Sequence, residues 1–213
     1  MHWLVFLAAM ILQAHDMHSG HTMPAATPPV ADPVSLFNHR LAGVLVILLG
    51  SFAYLENTAL QRFRLVKYLW PLPLLILGIY VFLYSDNPQL FPFDLERWAR
   101  HSTAWEHKTI SVMVITLGLI ELFRRTGKLT HPAWKHILNL LMLTAGVLLL
   151  FHGGKQHVEI IHTQHTWMGI VAVTLSVAKI LSDWKGGSLA WLGRYAVPLL
   201  MVTLGMQLVL YVE

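Results

Sequence analysis

His165-Thr-Trp-Met-Gly-Ile-Val-Ala-Val-Thr-Leu-Ser-Val-Ala-Lys-Ile-Leu181 is an apolar run interrupted by a single cation, Lys179. Its length is close to what an α-helix needs to cross the hydrocarbon core of a bilayer. Comparable apolar runs occupy Phe37–Leu55, Val66–Tyr84, His107–Phe123, Ile137–Phe151 and Tyr195–Val212. The sequence therefore predicts an all-α, polytopic membrane bundle of six transmembrane helices. Prolines near the start of the second and sixth runs predict bent or late helix starts there, and they are Pro71, Pro73 and Pro198.

The composition of the 213 residues agrees with a membrane protein, since 55% are hydrophobic and only 12% are charged. The chain has no cysteine, which excludes disulfides, thiolate zinc sites, cysteine-held iron–sulfur clusters and covalent c-type haem. It has no phosphate-binding loop or hydrolase motif, so an ATP-driven pump or a hydrolase is not expected. Tryptophans cluster near the ends of the runs as in an interfacial belt. We therefore expect the lipid bilayer, and not nucleic acid, as the partner.

The chain divides into three regions. Residues 1–14 predict a signal peptide, with an uncleaved N-terminal anchor as the alternative. Residues 15–36 form a His/Met-rich tail, and residues 37–213 form the six-helix domain. Ten of the 15 lysines and arginines fall in one set of loops, which the positive-inside rule makes cytoplasmic. We therefore expect a bacterial inner-membrane protein with its mature N- and C-termini in the periplasm.

Histidines concentrate on the predicted outer side of the bundle. Three inward-running helices begin with a histidine that is followed four residues later by a small residue: His39 with Gly43, His107 with Ser111, and His165 with Gly169. A returning helix follows each of them, which suggests three related helical hairpins. Residues four apart share a helix face. The small residue below each imidazole therefore either permits close helix contact or leaves room for a flat macrocycle.

Four imidazoles are expected to form a ring at one depth near the outer boundary, and they belong to His39, His107, His152 and His165. Ionisable groups inside a membrane are costly and are usually functional. Imidazole binds metal ions and haem iron. The ring is therefore the predicted cofactor-binding site, with ordinary interfacial histidines as the alternative.

The tail is dense in metal ligands. Imidazole and thioether together suit copper, and the tail holds His15, Met17, His18, His21 and Met23 within nine residues. Deeper methionines could form a relay for Cu(I), or they could simply fill the core. They are Met113, Met142, Met168, Met201 and Met206.

One outer loop offers a second set of metal ligands: His157, Glu159 and His162. If a helix begins at Glu159, a spacing of three residues aligns Glu159, His162 and His165 along one stripe. Too few carboxylates lie nearby for a di-iron site. The set therefore favours a mononuclear copper or zinc site.

Two carboxylates, Glu56 and Glu121, occupy matching places near the inner ends of the first and third helices. One interpretation is that they carry protons or cations. The alternative is that they reach the inner headgroups beside Arg62 or Arg124.

The segments His15–Met23 and His152–Gly169 resemble copper-resistance inner-membrane proteins of the CopD type. That resemblance implies copper passage or tolerance, with metal contact at His15, His18, His21 and the outer ring. The motif His39-Arg-Leu-Ala-Gly43 is also similar to motifs of helical-bundle b-type cytochromes, namely the cytochrome b561 group and haem A synthase. In those folds histidines on separate helices face each other across a haem, which implies at most one haem near the outer face.

Three functions follow from these observations. The first is copper handling at the periplasmic face, in which the tail captures the ion, the ring receives it, and a periplasmic copper carrier is the partner. The second is a redox protein with one haem b and a redox partner, which would make the chain an oxidoreductase. The third is an accessory subunit whose histidines line a partner interface. A binding protein is favoured over an enzyme.

Overall fold

A computed structural model of the chain describes residues 33–63, 65–84, 102–151 and 159–212. These residues are all-helical and contain no strand, so the all-α prediction is confirmed for them. The α-helices are α1 Pro33–Leu55, α2 Val66–Leu69, α3 Pro71–Tyr84, α4 Ser102–Arg125, α5 Ala133–Phe151, α6 Glu159–Lys185 and α7 Val197–Val209. The predicted signal peptide and residues 15–32 of the tail lie outside the described residues.

Five helical segments are long and apolar enough to cross a membrane, and they are Pro33–Leu55, Val66–Tyr84, Ala133–Phe151, Glu159–Lys185 and Gly187–Val209. Large apolar side chains on their outer faces are exposed, among them Leu140 at 62% and Leu199 at 66%. Such a surface suits lipid better than water. Helix α4 is not among the five because charged residues at both of its ends shorten its apolar stretch. The count of six spans therefore stays a prediction.

Prolines set the start of two helices, as predicted. The second apolar run is divided at Trp70, and α3 begins at Pro71. A π-helical turn, Leu192–Ala196, precedes α7, where Pro198 lies in the first turn. Since proline has no N–H, it cannot donate to the carbonyl four residues earlier, that of Arg194. The side chain of Asn57 donates to that oxygen instead, at 3.2 Å.

The most extensive helix packing joins α1 with α7, α3 with α4, and α5 with α6. Glycines make these contacts close. A Cβ built on Gly43 of α1 would lie 2.6 Å from the carbonyl oxygen of Gly205 in α7. A Cβ on Gly169 of α6 would lie 2.8 Å from Cα of Leu150 in α5. The hairpin hypothesis instead paired each inward-running helix with the helix that follows it, such as α1 with α3. That hypothesis stays a prediction.

The bundle has two polar ends, which we name by their residues. The arginine end contains Glu56, Glu121 and Arg125, which form ion pairs between the ends of α1 and α4. The histidine end contains His39 at the start of α1 and His165 near the start of α6. At the histidine end the buried ammonium of Lys108 donates to the carbonyl of Phe82 at 2.6 Å. This bond satisfies one of the carbonyls that the last turn of α3 leaves without a helical partner.

Candidate functional site

Two of the four predicted ring histidines come together at the histidine end. The rings of His39 and His165 have centroids 5.8 Å apart and planes inclined at 78°. His165 is buried, with 4% of its surface exposed, and His39 is half-buried. These residues are 126 positions apart in the chain. Their meeting therefore depends on the packing of α1, α6 and α7.

Both imidazoles are held by their own helix. Nδ1 of His39 lies 2.9 Å from the carbonyl oxygen of Ser35, and Nδ1 of His165 lies 2.9 Å from that of Ile161. A carbonyl oxygen can only accept a hydrogen bond, so each Nδ1 must carry the proton. The lone pair then resides on Nε2 of each ring. This arrangement is typical of metal-binding histidines, whose second nitrogen donates to a backbone carbonyl.

Tyr211 completes the cluster. Its ring stacks on His39 with centroids 3.9 Å apart and lies edge-on to His165 at 5.5 Å. The side chain of Gln164 fixes this segment, since it donates to the carbonyl of Val212 at 2.7 Å and accepts from its N–H at 3.1 Å. The sequence analysis missed Tyr211. Its placement at the end of the last apolar run, on the predicted outer side with the histidines, was the only available signal.

Met168 is a buried methionine of α6 that packs in one cluster with Tyr211. It lies three residues after His165, which puts both on one face of α6. Met168 is 1% exposed and belongs to one buried cluster with Ile161 and Tyr211. The relay hypothesis named Met168 among five methionines. The structure distinguishes it because it lies on the helix face that carries His165.

His107 also lies at the histidine end, in the second turn of α4. Among the described residues no three His, Asp or Glu side chains come close enough to hold a metal ion together. The described part of the ring is therefore a pair, His39 and His165, and not a three-imidazole site.

A hydrogen bond next to His39 joins α3 to α1. The hydroxyl of Tyr80 donates to Oδ1 of Asn38 at 2.7 Å.

The remaining predicted ligands divide into two groups. Glu159 and His162 lie in the first turns of α6, and both are exposed, whereas His165 is buried. The helix start at Glu159 is as expected, but the side chains spread around the helix. The other predicted ligands lie outside the described residues, and they are His15, Met17, His18, His21, Met23, His152 and His157.

The helices pack closely one turn deeper than the pair. A Cβ on Gly43 would meet the backbone of α7, and a Cβ on Gly169 would meet the side chain and Cα of Leu150. Of the two uses predicted for the small residues, close helix contact is the one observed at these two positions.

Both carboxylates near the opposite end are paired. Glu121 accepts from Nη1 of Arg124 at 2.6 Å and from Nε of Arg125 at 2.6 Å. Glu56 accepts from Nη2 of Arg125 at 3.0 Å. The sequence analysis expected arginines beside these carboxylates, namely Arg62 or Arg124. Glu121 does pair with Arg124, whereas Glu56 pairs with Arg125.

Comparisons with protein-family models, with curated proteins and with solved structures give no match. The resemblances to CopD-type proteins and to b-type cytochromes therefore rest on the quoted residues alone. Function must be argued from the histidine end itself.

Proposed function

We propose that this chain is a membrane protein that binds and hands over copper at its histidine end. The observation that carries the proposal is the His39–His165 pair. In each neutral ring the lone pair is on Nε2, because Nδ1 donates to a backbone carbonyl. Two imidazole nitrogens with a thioether nearby form a ligand set that suits Cu(I), and Met168 provides that thioether. Copper is the cargo here and not a resident cofactor.

The tail supplies the route to the pair. Met23 and Pro33 are separated by residues 24–32. A segment of about ten residues spans up to roughly 33 Å when extended, so the length of this linker permits ligand exchange between the tail and His39. The tail then captures the ion through exchangeable His and Met ligands, and the buried pair receives it. A periplasmic copper carrier would exchange the ion at the same end.

The proposed orientation places the histidine end in the periplasm of a bacterium. The distribution of lysine and arginine supports it, because the loops at the arginine end hold most of these residues. The bundle then lies in the inner membrane with the C-terminal segment, which holds Tyr211, on the periplasmic side.

We expect His39→Ala and His165→Ala each to weaken Cu(I) binding on the order of 100-fold, because removal of a direct ligand costs at least as much as removal of its outer support. The measurement is competition with a chromophoric Cu(I) chelator in detergent. The chain used lacks residues 15–23, so that the tail ligands do not contribute to the affinity. His131→Ala is the control, since His131 is exposed and lies between α4 and α5 at the arginine end. Unchanged affinity in both pair variants would contradict the proposal. A Soret band from the purified protein would favour the haem alternative.

Met168→Leu is expected to weaken Cu(I) binding about tenfold, because leucine replaces the thioether with a side chain of similar volume. Zn(II) binding should change little, since zinc prefers imidazole and carboxylate to thioether. Met206→Leu is the control, because Met206 is 45% exposed on α7. Equal Cu(I) affinities for the two variants would remove Met168 from the ligand set.

A further inference from the structure

A cavity of about 290 Å³ lies between α5 and α6 near the arginine end. Its lining is apolar along Leu140, Leu143 and Ile180, and polar at His136 and Asn139. Trp184 lines it too and is 75% exposed. The cavity lies beside the start of α5 and the end of α6, at the level where lipid headgroups meet a bundle of this kind. Its position and its mixed lining suit an amphiphile from the bilayer.

Asn139 supplies the polar contact. Asn139 is buried, with 4% of its surface exposed, and its Nδ2 donates a hydrogen bond to Oδ2 of Asp183 at 3.0 Å. This bond fixes the amide orientation, because a flipped amide would place its oxygen against a carboxylate. Oδ1 is then buried with no hydrogen-bond partner among the described residues. A buried acceptor without a donor is unfavourable, so a ligand that donates a hydrogen bond to Oδ1 should bind more tightly than one that cannot.

The charges next to the cavity indicate what else the ligand carries. Asp183 is flanked by the ammonium groups of Lys135, at 3.5 Å, and of Lys179. Two cations against one carboxylate leave one positive charge in excess. A phosphodiester next to a hydrogen-bond donor matches this arrangement.

We propose that this cavity binds one phospholipid whose headgroup donates a hydrogen bond to Asn139 Oδ1. The headgroup occupies the polar part of the cavity, and the phosphate lies towards Lys135. The acyl chains continue along the exposed apolar side of Leu140. A primary amine and a glycerol hydroxyl both satisfy the donor requirement, and a quaternary ammonium does not. The site is independent of the histidine end.

The test is native mass spectrometry of the full chain released from detergent with defined lipids of identical acyl chains. Phosphatidylethanolamine is compared with phosphatidylcholine, which differs by methylation of the amine. We expect about two- to tenfold greater retention of phosphatidylethanolamine, the range that one hydrogen bond provides. Phosphatidylglycerol distinguishes an amine donor from a hydroxyl donor. If the protein also retains phosphatidylglycerol, any headgroup that donates a hydrogen bond is accepted. If it does not retain phosphatidylglycerol, the site requires the amine. Equal retention of phosphatidylcholine would overturn the proposal.

Two variants keep the test decisive. Asn139→Leu should remove the preference for phosphatidylethanolamine, but it also breaks the bond to Asp183. Leu140→Trp fills the cavity with Asn139 intact and should abolish retention. Its matched control is Leu199→Trp on α7, a site of similar exposure (66% against 62%). Retention that survives Leu140→Trp, or that Leu199→Trp abolishes equally, places the lipid elsewhere and contradicts the proposal.

Discussion

Gly43→Ala is expected to separate α1 from α7 and to lower the stability of the bundle by about 3 kcal/mol, at the upper end of the cost of overpacking. The added Cβ would lie 2.6 Å from the carbonyl oxygen of Gly205 and 2.7 Å from the backbone nitrogen of Val209. Neither atom can move without moving α7. Copper affinity at the histidine end should fall as well, since α1 carries His39 and the segment after α7 carries Tyr211.

Unfolding in detergent, followed by the loss of helical circular dichroism, measures this effect. Gly187→Ala adds the same methyl group where no atom lies within 4 Å, and it should leave the midpoint nearly unchanged. Gly205→Ala should resemble Gly43→Ala, because its Cβ would lie 2.7 Å from the carbonyl oxygen of Gly43. The double variant should cost less than the sum, since one separation relieves both contacts. Equal midpoints for Gly43→Ala and Gly187→Ala would contradict the contact.

Arg125→Met should destabilise the arginine end by about 3–5 kcal/mol, the usual cost of breaking a buried ion pair from one side. The guanidinium of Arg125 donates hydrogen bonds to both carboxylate oxygens of Glu56 and to Glu121. It also donates to the carbonyl oxygen of Lys67 at 2.6 Å. It also lies 5.4 Å from the ring centre of Trp70. Without Arg125, Glu56 and Glu121 each lose a cationic partner, and Glu121 is only 6% exposed.

The matched control is Arg124→Met, which removes the same charge from the neighbouring residue of α4. Arg124 pairs with Glu121 on its own helix and is 29% exposed, so its loss should cost about 1 kcal/mol or less. Adding Glu56→Gln and Glu121→Gln to Arg125→Met should recover most of the stability, because no buried charge then lacks a partner. If the triple variant is as unstable as Arg125→Met alone, the unpaired carboxylates are not the cause of the lost stability. Stability is again measured by unfolding in detergent, followed by helical circular dichroism.

The helices were predictable because their signal is local. A long apolar run needs no knowledge of its neighbours, and Pro71 marks a helix start through its own missing N–H. The limits of α4 show where this signal weakens. Its apolar centre is bordered by charged residues, so composition alone does not establish that it crosses the membrane.

The candidate site was predictable only in part because it depends on contacts between distant elements. His39 and His165 stood out as ionisable residues at the ends of apolar runs. Nothing in the sequence showed that these two would meet, or that Tyr211 would stack on His39. Asn139 was not singled out, because one amide in an apolar helix becomes informative only when its oxygen is seen to be buried without a partner.

The contact between α1 and α7 also affects how the protein is made. A ribosome adds about 5–20 residues per second, and roughly 140 residues separate the end of α1 from the start of α7. Newly inserted α1 must therefore wait on the order of ten seconds for the helix that covers its glycine face. A quality-control protease or an insertase could recognise that bare face during biosynthesis. Tyr211 follows α7 in the chain, so its stacking on His39 also forms only after α7 has been made.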